Sequence, residues 1–274
     1  MRRPHEPAPL RHHRLRDLPA ARGGGARARL SAAACRLMIE GILPGCVAVA
    51  EAFGDPPGAE LFPEEERAVR GCAERRRREF TTTRHCARQA LAGLGIAPTA
   101  IPAGPRREPR WPHGVIGSLT HCEGYRAAAL AAGDRLVSVG IDAEPDAPMP
   151  EGLLARIACP AEVSRLAELG EEFPEVSWGR LAFSAKESVY KAWYPVARSR
   201  LAFEDAVLDF LPPAQTFTAD LRRKGLVVGG RQLTRLTGRW LVRDGLILTA
   251  VTIAGGGPEP GETASRGLPV GAAR

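Results

Sequence analysis

Apolar residues recur at helical spacing in some parts of this chain and at strand spacing in others, which predicts an α/β protein. Glycines end the longest helical run, and Asp244-Gly245 separates two alternating apolar runs, as expected of a β-hairpin. The predicted elements are a strand within 43–53, a helix at 75–95, a loop at 101–116, strands at 126–132 and 136–141, helices within 152–169 and at 178–193, and a β-rich region at 203–255.

Charged side chains lie on one face of the helix predicted at 178–193. At about 100° per residue, a stripe that we expect to be exposed contains Ser184, Glu187, Ser188 and Lys191. The opposite stripe, which we expect to be buried, contains Ala182, Ala185, Val189 and Trp193. A carboxylate and an ammonium one turn apart therefore share a face, although such a pair by itself is typical of a solvated helix.

Two carboxylates, Asp142 and Glu144, directly follow the strand predicted at 136–141. Residues two apart on an extended chain point to the same side, so both could grip one hard cation, with Glu187 as a third oxygen ligand. A few carboxylates together with substrate phosphates are the usual ligands of Mg2+ in proteins. A lone Asp-x-Glu pair is more often surface charge, and that alternative stays open.

Arginines line the helix predicted at 75–95. Arg77, Arg84 and Arg88 fall within a narrow stripe, and guanidinium groups match the geometry of phosphate. Arginine runs on helices are often simply solvated, which leaves two interpretations. Three polar side chains at a predicted strand end or loop suit contact with an oxyanion: Ser118, Thr120 and His121.

Composition excludes several classes of protein. The chain has 274 residues, of which 44% are hydrophobic and 25% charged, as in a globular protein of one large domain or two modest ones. No run of eighteen apolar residues occurs, so we expect no transmembrane helix and no membrane partner. The six cysteines have no C-x-x-C spacing, which argues against zinc or a disulfide framework and favours the cytoplasm.

The formal net charge of +7 lies in the first 37 residues, where nine arginines face two acidic residues. The rest of the chain is formally neutral, which weakens the alternative of a nucleic-acid-binding protein. We expect residues 1–37 to be a disordered leader. Either translation naturally begins at Met38, or the leader is a genuine interaction tail. Residues 255–274 are rich in glycine and proline and predict a flexible tail.

Several motifs occur together in an order that is more specific than any one of them. Gly140-Ile-Asp-Ala-Glu144 precedes Phe183-Ser-Ala-Lys-Glu-Ser-Val-Tyr-Lys191, and Gly117-Ser-Leu-Thr-His121 and the arginine-rich helix come before both. In this the chain resembles the 4′-phosphopantetheinyl transferases, and within them the monomeric Sfp-like branch near the EntD-type and actinobacterial enzymes. The resemblance covers about residues 38–254.

The resemblance implies an α/β fold of two similar lobes, 38–147 and 148–254, related by a pseudo-twofold axis, with the active site in the cleft between them. It implies transfer of the phosphopantetheine arm of coenzyme A to a serine of apo acyl or peptidyl carrier proteins, from polyketide, nonribosomal peptide or fatty-acid synthases. The products are the holo carrier and 3′,5′-ADP. A monomeric, cytoplasmic, Mg2+-dependent enzyme is expected, with Mn2+ as a possible substitute.

The resemblance also implies roles for individual residues. The metal ligands would be Asp142, Glu144 and Glu187. Glu187 would accept the serine proton, directly or through a water, and Lys191 would reach the pyrophosphate. Arg76 and Arg84 would hold the nucleotide phosphates, His121 would contact a phosphate of coenzyme A, and Ala143 would offer its backbone. Helical geometry instead favours Arg77 and Arg88 beside Arg84, so we rank Arg84 first and Arg76 and Arg88 after it. The other expected contacts are Ser118, Thr120 and Asp142.

The chain departs from the family pattern at Ala103, where related enzymes often carry a basic residue. Arg106 or Arg107 could substitute for it. Lys186 lies away from the Glu187 stripe, and we expect it to have a structural or carrier-facing role. The rival enzyme class is a magnesium-dependent nuclease, but such sites usually place Glu and Lys two apart on a strand, whereas here they are four apart on a helix.

Overall fold

Two antiparallel sheets and one small ribbon organise residues 38–255, the part of the chain that the computed structural model describes. The predicted leader at 1–37 and all but the first residue of the predicted tail at 255–274 lie outside the described residues. The strands are β1 (Ala48–Ala52), β2 (Val115–Cys122), β3 (Tyr125–Ala132), β4 (Ser138–Pro145), β5 (Ala206–Leu211), β6 (Thr216–Leu221), β7 (Val227–Val228), β8 (Arg231–Gln232), β9 (Arg235–Arg243) and β10 (Leu246–Ile253). The helices are α1 (Pro63–Glu66), α2 (Glu74–Gly93), α3 (Leu154–Ile157), α4 (Pro160–Glu172) and α5 (Trp178–Ala197).

The first sheet has the order β1-β3-β2 and packs against α2. After Tyr125 and Arg126, its central strand β3 consists of alanines and one leucine, and the small side chains allow the helix to approach closely. Cys86, Ala87 and Leu91 of α2 are fully buried against this strand. The opposite, amino-terminal end of α2 therefore carries Arg76 close to His121 on β2.

The second sheet has the order β4-β10-β9-β6-β5 and packs against α5. An aromatic cluster anchors the start of this helix: the Trp178 ring lies 5.7 Å from that of Phe210 and 5.8 Å from that of Trp240. The predicted hairpin at Asp244-Gly245 is confirmed, since these two residues connect β9 to β10. Their φ angles of 52° and 74° are those of the tight two-residue turn that suits twisted strands.

Strand β4 and helix α5 touch at Gly140. A Cβ atom at this position would lie 2.5 Å from the backbone nitrogen of Ala192 and still closer to the carbonyl oxygen of Ser188. Only glycine leaves room for the helix backbone here. This close approach brings Lys191 of the helix to Asp142 of the strand.

Side-chain hydroxyls join the two sheets where the edge strands β2 and β4 face each other. Ser118 accepts a hydrogen bond from the Ile141 N–H at 3.1 Å, and Thr120 accepts one from the Ala143 N–H at 2.9 Å. Both hydroxyl-bearing residues are 4% exposed. The unpaired backbone of an edge strand is thus satisfied by side chains rather than by a further ladder.

The structure corrects several sequence-based expectations. Asp142 and Glu144 lie inside β4 rather than after it, because pairing with β10 continues to Pro145 opposite Leu246. The expected exposed stripe is partly buried, since Ser184 and Ser188 are fully enclosed between α5 and the sheet. His121 lies at the end of β2, one residue before the strand ends at Cys122, as expected, whereas Ser118 and Thr120 lie further inside the strand.

The α/β class predicted from the sequence is confirmed. The division of the chain into lobes near residue 147 stays a prediction, and β4, which precedes that point, pairs with β10 in the second sheet. Within residues 38–255, none of the helices is long and apolar enough to cross a membrane.

Candidate functional site

Asp142 is the most deeply placed carboxylate at the junction of β4 and α5, with 5% of its surface exposed. Its Oδ1 accepts a hydrogen bond from Lys191 Nζ at 2.7 Å and one from the Thr120 hydroxyl at 3.3 Å. Lys191 Nζ also donates to the Ile141 carbonyl at 3.0 Å. Oδ2 of Asp142 is buried and has no hydrogen-bond partner within residues 38–255. A buried carboxylate oxygen without a partner is a candidate ligand for a cation.

Glu144 lies two residues further along the same strand and is held by Arg180 from the first turn of α5. Nη1 of Arg180 lies 3.1 Å from Glu144 Oε2, and its other nitrogens donate to the carbonyls of Ala147 at 3.3 Å and Pro148 at 3.0 Å. Burial and the nearby charge of Asp142 raise the pKa of Glu144 to about 7, although Arg180 opposes the shift.

Glu187 projects from α5 toward the same carboxylates. Burial and the charge of Asp142 raise the pKa of Glu187 to about 7, while Lys191 acts in the opposite direction. Burial by itself lowers the pKa of Lys191, but Asp142 and Glu187 outweigh it and keep the pKa above its ordinary value. The lysine therefore stays charged, and the carboxylates around it still repel one another.

The residues at this site fit a hard divalent cation by their chemistry. The donors are carboxylate oxygens, one of them buried and unpaired, and oxygen-only sites of this kind suit Mg2+ or Mn2+. Within residues 38–255, no three side chains of His, Cys, Asp or Glu converge closely enough to enclose a metal ion. Asp142 is engaged by Lys191 and Glu144 by Arg180. The predicted ligand set of Asp142, Glu144 and Glu187 thus stays a prediction.

A second cluster, at the start of α2, is basic. Arg76 contacts Nε2 of His121 through its guanidinium, and Glu79, one turn further along the helix, lies 3.6 Å from Arg76 and 3.5 Å from His121. Burial and the Arg76 charge lower the pKa of His121. The imidazole is therefore neutral at pH 7, and Arg76 supplies the positive charge.

The structure separates the three arginines of the predicted stripe. Arg84 is 4% exposed, and its Nε donates to the Ile101 carbonyl at 2.8 Å. Burial lowers the pKa of Arg84 to about 10, which leaves it charged at neutral pH. Arg88 pairs with the fully buried Glu65 at 2.9 Å and 3.0 Å. Arg77 pairs with Glu66 at 2.6 Å on the surface.

Four of the predicted contacts with coenzyme A are already engaged within the protein. Ser118 and Thr120 bond to β4, and the N–H of Ala143 is taken by Thr120. Arg88 likewise has a buried partner in Glu65. The contacts of these residues with coenzyme A stay predictions, and each residue also makes an intramolecular contact that stabilises the fold.

Two further sequence-based expectations concern lysine and arginine side chains near α5. Lys186 is buried and structural: its Nζ bonds to Glu162 at 3.0 Å and to the carbonyls of Phe203 at 2.9 Å and Ala206 at 2.7 Å. Arg106, from the loop that contains Ala103, lies with its guanidinium 5.8 Å from the centre of the Tyr194 ring. The loop therefore reaches the carboxy-terminal half of α5.

Sequence reasoning missed Arg180 and Glu79. A signal existed for Arg180, because a cation in the first turn of a helix opposes the helix dipole and calls for a carboxylate or carbonyl partner. For Glu79 the signal was weaker, since it stands among five arginines between residues 75 and 84 and resembles a simple helix ion pair.

Comparison with known proteins gives concordant matches along the chain. A model described as the 4′-phosphopantetheinyl transferase N-terminal domain matches residues 64–131, and one described as the 4′-phosphopantetheinyl transferase superfamily matches residues 138–228. The first therefore contains Arg76, Arg84 and His121, and the second contains Asp142 and Glu187.

Three relatives align over most of their length. The chain is 47% identical over 220 residues to the 4′-phosphopantetheinyl transferase Svp of Streptomyces mobaraensis, an alignment that covers 79% of this chain and 89% of the relative. It is 45% identical over 225 residues to the transferase Npt of Nocardia iowensis, which covers 79% and 100%. It is 43% identical over 225 residues to the transferase PptT of Mycobacterium tuberculosis, which covers 79% and 98%.

Proposed function

Since the chain belongs to the 4′-phosphopantetheinyl transferase superfamily, we propose that it transfers the phosphopantetheine arm of coenzyme A to a serine of an apo carrier protein. The serine oxygen bonds to the phosphorus that carries the pantetheine, the bridging P–O bond of the pyrophosphate breaks, and 3′,5′-ADP leaves. The observation that carries the proposal is the meeting of Asp142, Glu187 and Lys191 where β4 and α5 touch.

Glu187 takes the proton of the serine hydroxyl, directly or through a water. A general base works best when its pKa is near the working pH. Burial and the Asp142 charge bring the pKa of Glu187 to about 7, far above that of a solvated glutamate. In the metal-free protein a substantial fraction of Glu187 is therefore ionised at neutral pH, and the positive charge of a bound cation would increase that fraction.

Asp142, Glu144 and Glu187 would hold Mg2+, and Mn2+ can replace it because both prefer oxygen ligands. A bound cation would neutralise the negative charge of the pyrophosphate and the charge that develops on the departing 3′,5′-ADP. Lys191, which remains charged beside Asp142, contacts the pyrophosphate.

Arg76, His121 and Arg84 bind the phosphates of coenzyme A. Arg76 and His121 contact each other at the amino-terminal end of α2. Their side chains are 38% and 36% exposed, which leaves them accessible to a ligand. Arg84 is largely buried and acts through its fixed positive charge. Arg88 supports this group from behind through Glu65, which also accepts the Ile101 N–H at 2.8 Å.

We further propose that the enzyme acts as a cytoplasmic monomer on carriers of polyketide, nonribosomal peptide or fatty-acid synthases. Within residues 38–255 the cysteines at positions 46, 72, 86, 122 and 159 are all free, which suits a reducing compartment. None of the three relatives is named as a nuclease.

Intact-mass spectrometry tests the proposal. The protein is incubated with MgCl2, coenzyme A and an apo carrier protein, and the carrier is expected to gain the mass of one phosphopantetheine. Asp142→Ala and Glu187→Ala should abolish the gain, whereas Lys224→Ala, at an exposed position, should retain it. The proposal fails if no carrier from the three synthase types gains mass.

A further inference from the structure

Thr120 of β2 lies beneath Asp142 and bonds to β4 at two points. Its Oγ1 accepts the Ala143 N–H at 2.9 Å and lies 3.3 Å from Asp142 Oδ1. A hydroxyl has one hydrogen and two lone pairs, and an ionised carboxylate can only accept. Since the Ala143 N–H donates to the hydroxyl, the hydroxyl's own hydrogen is directed to Asp142.

The two oxygens of Asp142 are consequently unequal. Oδ1 accepts a hydrogen bond from the Thr120 hydroxyl on β2 and one from Lys191 Nζ on α5, at 2.7 Å. Oδ2 receives no hydrogen bond within residues 38–255, although it is buried. Two donors on one oxygen fix the rotation of the carboxylate and leave the other oxygen available for a ligand.

Ser118 provides the contrast on the same strand. It accepts the Ile141 N–H at 3.1 Å, as Thr120 accepts that of Ala143, but within residues 38–255 its hydroxyl donates to no carboxylate of the site. Joining the two sheets therefore needs only the acceptor lone pair of such a hydroxyl. The donated bond from Thr120 to Asp142 is additional, and it is directed at the functional site.

We propose that Thr120 is a positioning residue that sets the rotation of the Asp142 carboxylate and keeps Oδ2 turned toward the divalent cation. The proposal rests on the proposed function for the identity of Asp142 as a metal ligand. Residues that hydrogen-bond to a metal ligand typically change metal affinity about 10- to 100-fold when they are removed.

The test measures binding of Mn2+ to the full-length protein with coenzyme A present, by electron paramagnetic resonance of the free ion. Thr120→Val keeps the shape of the side chain and removes the hydroxyl, so the dissociation constant for Mn2+ should rise about 10-fold or more. Thr120→Ser restores the hydroxyl and should stay within about threefold of the wild type.

Thr249→Val is the matched control. Thr249 is directly opposite Asp142 on β10 and is fully buried, and its hydroxyl donates to the Ser184 carbonyl at 3.0 Å. This variant loses a buried hydroxyl beside the site without removing a hydrogen bond to Asp142, so its Mn2+ affinity should match that of the wild type. If Thr120→Val does not fold, Thr120→Cys takes its place with the same expectation, because a thiol is a weak donor.

Three results would overturn the proposal. Equal loss of Mn2+ affinity in Thr120→Val and Thr249→Val would show a general packing effect, and an equal loss in Thr120→Ser would show that the hydroxyl is not the cause. Weaker binding of coenzyme A with unchanged Mn2+ affinity would place Thr120 in direct contact with the substrate instead. Because Mn2+ binding is read without any carrier, a failure of phosphopantetheine transfer would be distinguishable from a failure of this proposal.

Discussion

Gly140→Ala tests the contact between β4 and α5 on which the site depends. An alanine Cβ would lie 2.5 Å from the Ala192 nitrogen, 3.1 Å from the Ala192 Cβ and closest of all to the Ser188 carbonyl oxygen. The obstacle is helix backbone, which cannot rotate away as the end of a side chain can. The helix must therefore move from the strand by about 1 Å to restore ordinary contact distances.

Both stability and activity should fall. Overpacking of a well-packed interior costs about 1–3 kcal/mol, and a backbone obstacle belongs at the upper end of that range. A shift of about 1 Å at a reacting group can cost about 100-fold in rate. Lys191 would move away from Asp142, which it contacts at 2.7 Å, so kcat/KM should fall by about that factor.

Urea unfolding and steady-state kinetics would measure the two effects. Gly170→Ala, within α4, is the control. A Cβ at this position would have Trp178 Cδ1 as its nearest neighbour, at an ordinary contact distance of 3.9 Å. Alanine should raise the stability of that helix by up to about 1 kcal/mol. The reasoning is refuted if Gly140→Ala unfolds within about 0.5 kcal/mol of the wild type and retains its kcat/KM.

Three further predictions concern other parts of the molecule. Lys186→Met should lower the free energy of unfolding by about 3–5 kcal/mol because it leaves Glu162 buried without its cation. Its control, Arg165→Met, breaks the surface pair with Glu168 and should cost less than about 1 kcal/mol. Similar losses for the two variants in urea unfolding would contradict this prediction. Arg76→Ala should raise the KM for coenzyme A about 10- to 100-fold through loss of a charge-assisted phosphate contact. Arg77 pairs with Glu66 on the surface, and Arg77→Ala should leave this KM unchanged. Equal KM values for the two variants in steady-state kinetics would count against a phosphate contact by Arg76. Burial and the Arg76 charge lower the pKa of His121, so the unfolded state binds a proton at this imidazole more readily than the folded state. Stability should therefore fall as the pH drops below about 6.5. His121→Gln should flatten the dependence of the unfolding midpoint on pH in this region, and an unchanged slope would exclude His121 as its source.

Local patterns predicted the elements that carry the site. Helical spacing predicted α2 and α5, and Asp244-Gly245 predicted the hairpin, because these features depend on residues close together in the sequence. The motifs around Asp142 and Glu187 predicted the family, which the comparisons confirm. What local patterns could not give was the length of β4, since its last residues are held by β10, a hundred residues later in the chain.

The partners of charged residues were also beyond local patterns. Arg88 was predicted to contact phosphate, but its partner Glu65 comes from a separate short helix and is fully buried only in the folded chain. Thr120 resembled an anion contact, but the facing edge strand β4 turns its hydroxyl toward Ala143 and Asp142. Sequence pattern thus indicates which residue types form the site, and tertiary pairing decides which partners they have within the protein.

The rate of 3′,5′-ADP release in a single turnover, with Mg2+, coenzyme A and an apo carrier, tests the central claim most directly. Removing a general base typically costs about 10²- to 10⁴-fold, so Glu187→Gln should release 3′,5′-ADP slower by such a factor. Glu175→Gln, at an exposed position just before α5, should match the wild type. Release by Glu187→Gln at the wild-type rate would contradict the assignment of this site.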